Sequence, residues 1–192
     1  MSLPAHTKQT YTYADYLSWP KDERWEIIGG VAYNMTPAPS RRHQEISGAL
    51  FNVLYNYLRD KSCKVYTAPF DVRLPEGNES DAEIKNVVQP DIVVVCDKAK
   101  LDDQGCKGAP DFIAEIISAH TARKDVREKF YLYEKAGVKE YWIVHPNDRT
   151  VLTFSLGTDG KYGIPEMFGP DDEIPVNVLP GLVIKLNDIF RE

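Results

Sequence analysis

Hydrophobic and polar positions alternate along this chain in two periods, and the switches between them mark out its elements. Tyr13-Ala14-Asp15-Tyr16-Leu17 after Thr12 predicts a short helix, ended by Pro20 and the charged Lys21-Asp22-Glu23. Arg24 to Ile28 and Val31 to Met35 predict two strands joined by Gly29-Gly30, residues that supply the positive φ angles of a tight hairpin. Pro37 and Pro39 then break the sheet. Ser40 fits the N-cap of a long helix reaching to about Asp60, with Ile46, Leu50, Val53, Leu54 and Tyr57 on one side.

Further on, Val65 to Leu74 predicts a strand in which Phe70, Val72 and Leu74 alternate with Asp71 and Arg73. A mobile acidic loop is expected after it, then a strand over Val87 to Cys96, a connection from Lys98 to Gly108 and a strand from Pro110 to Ile117. Thr121 to Ala136 reads as a second helix, closed by Gly137 where a left-handed cap is usual. Glu140 to Val144 is apolar on both faces, as a central strand should be. Asn147-Asp148 turns into a strand over Thr150 to Leu156, and Gly157 to Gly160 turns into one near Tyr162. Pro180-Gly181 precedes a last strand and a helical turn from Leu186. This order predicts a single α/β domain over 1–192, with a mixed central sheet flanked by two main helices, an N-terminal hairpin and a strand-rich C-terminal part.

At 192 residues and 43% hydrophobic, the chain can bury a substantial core. It has no run of the roughly 18 to 20 apolar residues that a membrane span needs. Its first ten residues include His6 and Lys8 and no apolar stretch of the kind a signal peptide carries. Cys63, Cys96 and Cys106 are odd in number and lack CxxC spacing, so neither disulfides nor a zinc knuckle is expected, and a cytoplasmic setting fits. The net charge of −6 argues against non-specific coating of nucleic acid, which depends on many contacts from Lys and Arg. It leaves room for an enzyme with a local basic surface. Arg41 with Arg42, and Arg123 with Lys124 and Arg127, read first as solvated helix faces.

Against that background a few charged residues stand where the pattern asks for apolar ones. Asp91 follows Pro90 and either caps a turn or shares a strand face with Val93 and Val95. Glu115 lies between Ile113-Ala114 and Ile116-Ile117, where a carboxylate has few inexpensive structural roles. On a helical wheel Lys129 falls within the inward arc of Ala122, Val126, Phe130 and Tyr133, although Asp125, four residues earlier, could simply pair with it. His43 lines up with Leu50 and Leu54 on the apolar face of the first long helix, which suits a packed histidine as well as a functional one. Glu26 is a further acid in an aromatic and aliphatic strand. Two carboxylates with a nearby lysine suit metal-assisted phosphodiester cleavage. Mg²⁺ or Mn²⁺ would take hard oxygen ligands from Asp91 and Glu115, and Lys129 would orient water or neutralise developing charge.

Several stretches then resemble a known family. They are Arg24-Trp25-Glu26-Ile27-Ile28-Gly29-Gly30, Thr67-Ala68-Pro69-Phe70-Asp71-Val72-Arg73-Leu74, Val88-Gln89-Pro90-Asp91-Ile92-Val93-Val94-Val95, Gly108-Ala109-Pro110-Asp111 and Gly137-Val138-Lys139-Glu140-Tyr141-Trp142-Ile143-Val144. Together they resemble the Uma2 family of restriction-endonuclease-like proteins, within the PD-(D/E)XK nuclease superfamily. That resemblance implies a restriction-endonuclease-like core, Mg²⁺ held by Asp91 and Glu115, and DNA as substrate. It places functional residues at Glu26, His43, Asp91, Glu115 and Lys129, and by analogy it implies a homodimer. The chain departs from the superfamily's Glu-x-Lys pattern by carrying Ile117, so Lys129 supplies the lysine, a displacement the family uses. It also has Ser118-Ala119-His120-Thr121 after the glutamate and His145-Pro146 after the last core strand, in place of the family's usual residues. Two other functions are compatible with these residues: a binding module that kept the fold without catalysis, and a metal-dependent hydrolase of RNA or another phosphodiester.

Overall fold

In the computed structural model, which describes residues 10–35, 38–118 and 124–191, two six-stranded sheets, a two-stranded hairpin and two main helical segments pack around three hydrophobic clusters. The N-terminal helix α1 (Tyr13–Tyr16) is followed by the hairpin β1 (Trp25–Ile28) and β2 (Val31–Asn34). Gly29 and Gly30 both take positive φ in the hairpin turn, as the sequence requires. Helix α2 (Arg41–Leu58) starts at Ser40, whose hydroxyl accepts from the His43 amide at 3.2 Å. Its buried stripe is His43, Ile46, Leu50, Leu54 and Leu58, the spacing of one helix face.

The strands that follow are shorter than the pattern suggests. Val65 to Leu74 is divided into β3 (Lys64–Thr67) and β4 (Val72–Arg73), and Val87 to Cys96 into β5 (Val87–Val88) and β6 (Ile92–Val95). Pro69 and Pro90 lie at the two breaks, because proline cannot donate to a central ladder. Each half then joins a different sheet. The connection beyond β6 forms a small hairpin, β7 (Leu101–Asp102) and β8 (Gly105–Lys107), before β9 (Phe112–Ile116). Residues 124–129 wind as a π-helix into α3 (Phe130–Ala136), which Gly137 caps at φ +89. Strands β10 (Glu140–His145), β11 (Thr150–Ser155) and β12 (Glu166–Phe168) follow. A final hairpin of β13 (Glu173–Pro175) and β14 (Val183–Lys185) ends in α4 (Leu186–Ile189). The expected strand near Tyr162 is only an isolated bridge to Leu156, while β12 and β13 are additional.

The first sheet runs β2-β1-β5-β4-β8-β7 and the second β12-β11-β10-β9-β6-β3. Alternation along the second sheet sorts its side chains. Ile92, Val94, Phe112, Ala114, Ile116, Trp142 and Val144 pack with α2, α4 and the terminal hairpin. Val93, Val95, Ile113, Tyr141 and Ile143 face Leu132 and Tyr133 of α3 and, from the first sheet, Val72 and Val88. The second sheet is thus buried on both faces, and β10 is interior, as its apolar run predicts.

Three expectations need correcting. Cys63 and Cys96 are disulfide-bonded, and only Cys106 is free. The cause is register: β3 and β6 pair Lys64 with Val95, so the next step outward sets Cys63 opposite Cys96. The acidic loop after β4 is also anchored rather than loose. Asp81 within it pairs with Arg73, a fully buried guanidinium that Asp102 holds from the other side. Finally, Asp91 lies just outside β6 instead of inside a continuous strand. Among the described residues, no helix is long and apolar enough to cross a membrane.

Candidate functional site

The candidate residues gather at one end of the second sheet, in two linked groups. In the first, Lys129 is 1% exposed and its Nζ lies 2.8 Å from Glu115 Oε1 and 2.8 Å from Glu26 Oε1. Glu115 points from β9 toward α3 because it shares the face of Ile113. Ile143 flanks it on the parallel neighbour β10. Tyr133, one helical turn beyond Lys129, donates its hydroxyl to Glu115 Oε1 at 2.7 Å. Burial and the Glu115 charge hold that phenol well above its usual titration range, so it remains a donor. Glu26 reaches across from β1 in the other sheet and also accepts the Gln89 amide at 2.9 Å. Glu26 is fully buried and Glu115 nearly so; a lysine between two carboxylates supplies the pairing that such burial demands.

The second group centres on Asp91. The pairing Ile92 to Ala114, carried one step past the end of β6, sets Asp91 opposite Glu115. Having left the ladder after Pro90, Asp91 caps it with its side chain: Oδ2 accepts the Ile116 amide at 2.8 Å. The same oxygen lies 3.1 Å from His43 Nε2, reached from the first turn of α2. An ionised carboxylate only accepts, so Nε2 carries the proton. His43 Nδ1 is then buried with no partner among the described residues. Asp91 Oδ1 likewise has no hydrogen-bond partner there, and its side chain is 19% exposed.

All five sequence candidates therefore lie in these two groups. Lys129 contacts Glu26 and Glu115, His43 contacts Asp91, and the Glu115–Ile116 peptide joins the groups. The alternative pairing of Lys129 with Asp125 falls outside the described side chains. Sequence reading missed Tyr133 and Gln89. Tyr133 stood on the inward arc of the wheel, but a tyrosine there signals packing until its acceptor is known. Gln89 stood between a strand and Pro90, and nothing local pointed to a partner 63 residues away.

As a metal site, the donors are hard oxygens from neighbouring register positions, one of them open. Among the described residues, no three His, Cys, Asp or Glu side chains converge into a cage. Such a set fits Mg²⁺ or Mn²⁺, because Mg²⁺ keeps most of its waters and needs only one or two carboxylates beside substrate phosphate.

Comparison with known proteins gives a consistent result. The profile of the Uma2 family, described as putative restriction endonuclease, matches residues 13–187. An uncharacterized protein of Synechocystis sp. is 23% identical over 151 residues, covering 77% of this chain and 75% of that protein. The crystal structure of a putative nuclease belonging to DUF820 from Anabaena variabilis superposes with a TM-score of 0.74 at 20% identity. That match covers 93% of this chain and 97% of the other, and at such identity it establishes the shared fold alone.

Proposed function

This chain belongs to the Uma2 family, and from that premise we propose that it is a metal-dependent endonuclease that hydrolyses DNA phosphodiester bonds. The observation that carries this reading is Lys129. A primary ammonium at 1% exposure, clamped by two carboxylates on separate sheets, is costly to build for structure alone. Asp91 and Glu115 would hold Mg²⁺, with Mn²⁺ as a substitute. The ion, when bound, would polarise the phosphoryl oxygen and lower the pKa of water. The chain's own groups do the rest. Lys129 presents positive charge beside Glu115, where negative charge grows as the phosphorus is attacked. Tyr133 and Glu26 fix that ammonium and carboxylate against rotation. His43 orients Asp91 through Nε2, so that its free oxygen stays turned away from the ladder. Cutting two strands calls for two such centres, and we propose a homodimer for that reason.

Plasmid nicking tests this reading. Cleavage should require Mg²⁺ or Mn²⁺ and fall by about 100-fold or more in Asp91→Ala and Lys129→Ala. RNA and single-stranded DNA assayed alongside would show whether another phosphodiester is preferred. DNA binding without any cleavage would instead favour a binding module that kept the fold, the reading suggested by the acidic balance and the absent Glu-x-Lys. Cleavage unaffected by Asp91→Ala would refute the endonuclease proposal.

A further inference from the structure

Beside this centre lies a cleft of about 320 Å³ that the proposed chemistry does not use, lined among others by Tyr16, Phe70, Asp71, Gln89, Asp102 and Asp103. Its floor is held rigid by Gln89, itself 6% exposed. The Gln89 side-chain oxygen accepts twice from the Arg24 guanidinium, at 3.0 and 2.9 Å. Its amide nitrogen donates to Tyr16 Oη at 3.0 Å and to Asp71 Oδ1 at 2.9 Å, and Tyr16 Oη donates to the same Asp71 oxygen at 2.9 Å. Asp71 is thus fixed through Oδ1, while Oδ2 has no hydrogen-bond partner among the described residues. Phe70 provides an aromatic wall, its ring stacked on Tyr66 with centroids 4.2 Å apart. Gly105 provides another: at φ +130, an added Cβ would lie 2.2 Å from the Asp71 carbonyl oxygen, so only glycine lets the β7–β8 turn approach this closely.

Two backbone hydrogen bonds tie the lining of the cleft to the candidate centre. The Gln89 amide donates to Glu26 Oε1, the oxygen that also faces Lys129, and the Ala68 amide beside Pro69 donates to the Asp91 carbonyl at 3.3 Å. Its lining offers acceptors and an aromatic face. The two guanidiniums beside it are already engaged: Arg24 by the Gln89 side-chain oxygen, Arg73 by Asp102 and Asp81. A phosphate is therefore repelled by the carboxylates of Asp71, Asp102 and Asp103. A flat neutral group with N–H donors suits both the carboxylate and the ring. We infer that this cleft receives an unstacked nucleobase next to the cut phosphodiester, and that Asp71 reads its exocyclic amino group, favouring cytosine over thymine. A carboxylate accepts from the cytosine amino group but repels the carbonyl oxygen that thymine carries at the same position. This inference rests on nucleic acid being the substrate.

Fluorescence anisotropy of short oligodeoxycytidine and oligothymidine strands, measured at neutral pH in EDTA so that no cleavage intervenes, tests it. The wild-type chain should favour oligodeoxycytidine by roughly tenfold. Asp71→Asn should lose that preference, because an amide can donate to the thymine oxygen. Strands built from N4,N4-dimethylcytosine should bind the wild-type chain no better than oligothymidine, a control that leaves the protein unaltered. Equal binding of the two natural strands would overturn the base-reading inference while leaving nucleic-acid binding intact. Failure of every strand to bind, both in EDTA and with the divalent cation supplied as Ca²⁺, would overturn both.

Discussion

At the scale of single residues, the site depends on how buried charges are matched. Lys129 pairs with two carboxylates at once, so Lys129→Met would remove the ammonium that Glu26 and Glu115 share. The expected loss is about 3–5 kcal/mol in urea unfolding at neutral pH. Tyr133→Phe removes one donor from a buried carboxylate and should cost about 1–3 kcal/mol. Glu140 offers a contrast. It is also fully buried, but its oxygens accept from Trp142 Nε1 at 2.8 Å and the Val178 amide at 2.9 Å, a structural arrangement away from Lys129. Burial raises its carboxyl above the usual 4.5, partly offset by those donors. A raised acid favours the protonated folded state, so its contribution is complete below pH 4.5 and is lost as pH climbs through the folded value. Glu140→Gln should therefore flatten the decline of stability with rising pH above 4.5, as urea titrations at several pH values would show. Lys129 was legible because helical periodicity alone turns it inward. Glu115 was legible because apolar residues surround it. The partners Tyr133 and Gln89 were not, since a hydrogen bond across the fold leaves no local trace.

At the scale of elements, α2, the N-terminal hairpin and the glycine-capped end of α3 were readable from caps and glycines. The π-wound turn over residues 124–129 was not, and residues 121–123 of the expected helix lie outside the described residues. Nor were the strands around Pro69 and Pro90 readable. Hydrophobic alternation runs through both prolines, and only the chain's division between two sheets makes the breaks necessary. That division also places Asp91 at a ladder end, where its side chain can cap Ile116 and meet His43. The disulfide was hidden for a related reason: Cys63 and Cys96 meet only once β3 is known to pair with β6. Thiol titration in denaturant should find one reactive cysteine per chain before reduction and all three afterwards. Reduction should cost about 2–4 kcal/mol of stability. In the native state Cys106 should react slowly with thiol reagents, because burial pushes its thiol up to about 11.

At the scale of the whole molecule, the second sheet carries α2 on one face and α3 on the other, and the site forms where both reach its end. α2 contributes His43, α3 is preceded by Lys129, and the strands supply the carboxylates between them. On the proposed function, a cation bound by these carboxylates would let a chain of net charge −6 meet a polyanion locally. Binding of DNA should then strengthen with divalent cation instead of relying on a broad basic surface. Sedimentation should report twice the 21.8 kDa chain mass if two centres act together, and the chain mass alone would count against the dimer.

The central claim is that Asp91 and Glu115 share one cation beside Lys129. Anomalous diffraction from crystals soaked in Mn²⁺ addresses it directly. A single peak within roughly 2.0–2.6 Å of an oxygen from each carboxylate is the predicted result. A peak elsewhere, or none at this end of the sheet under saturating Mn²⁺, would contradict it.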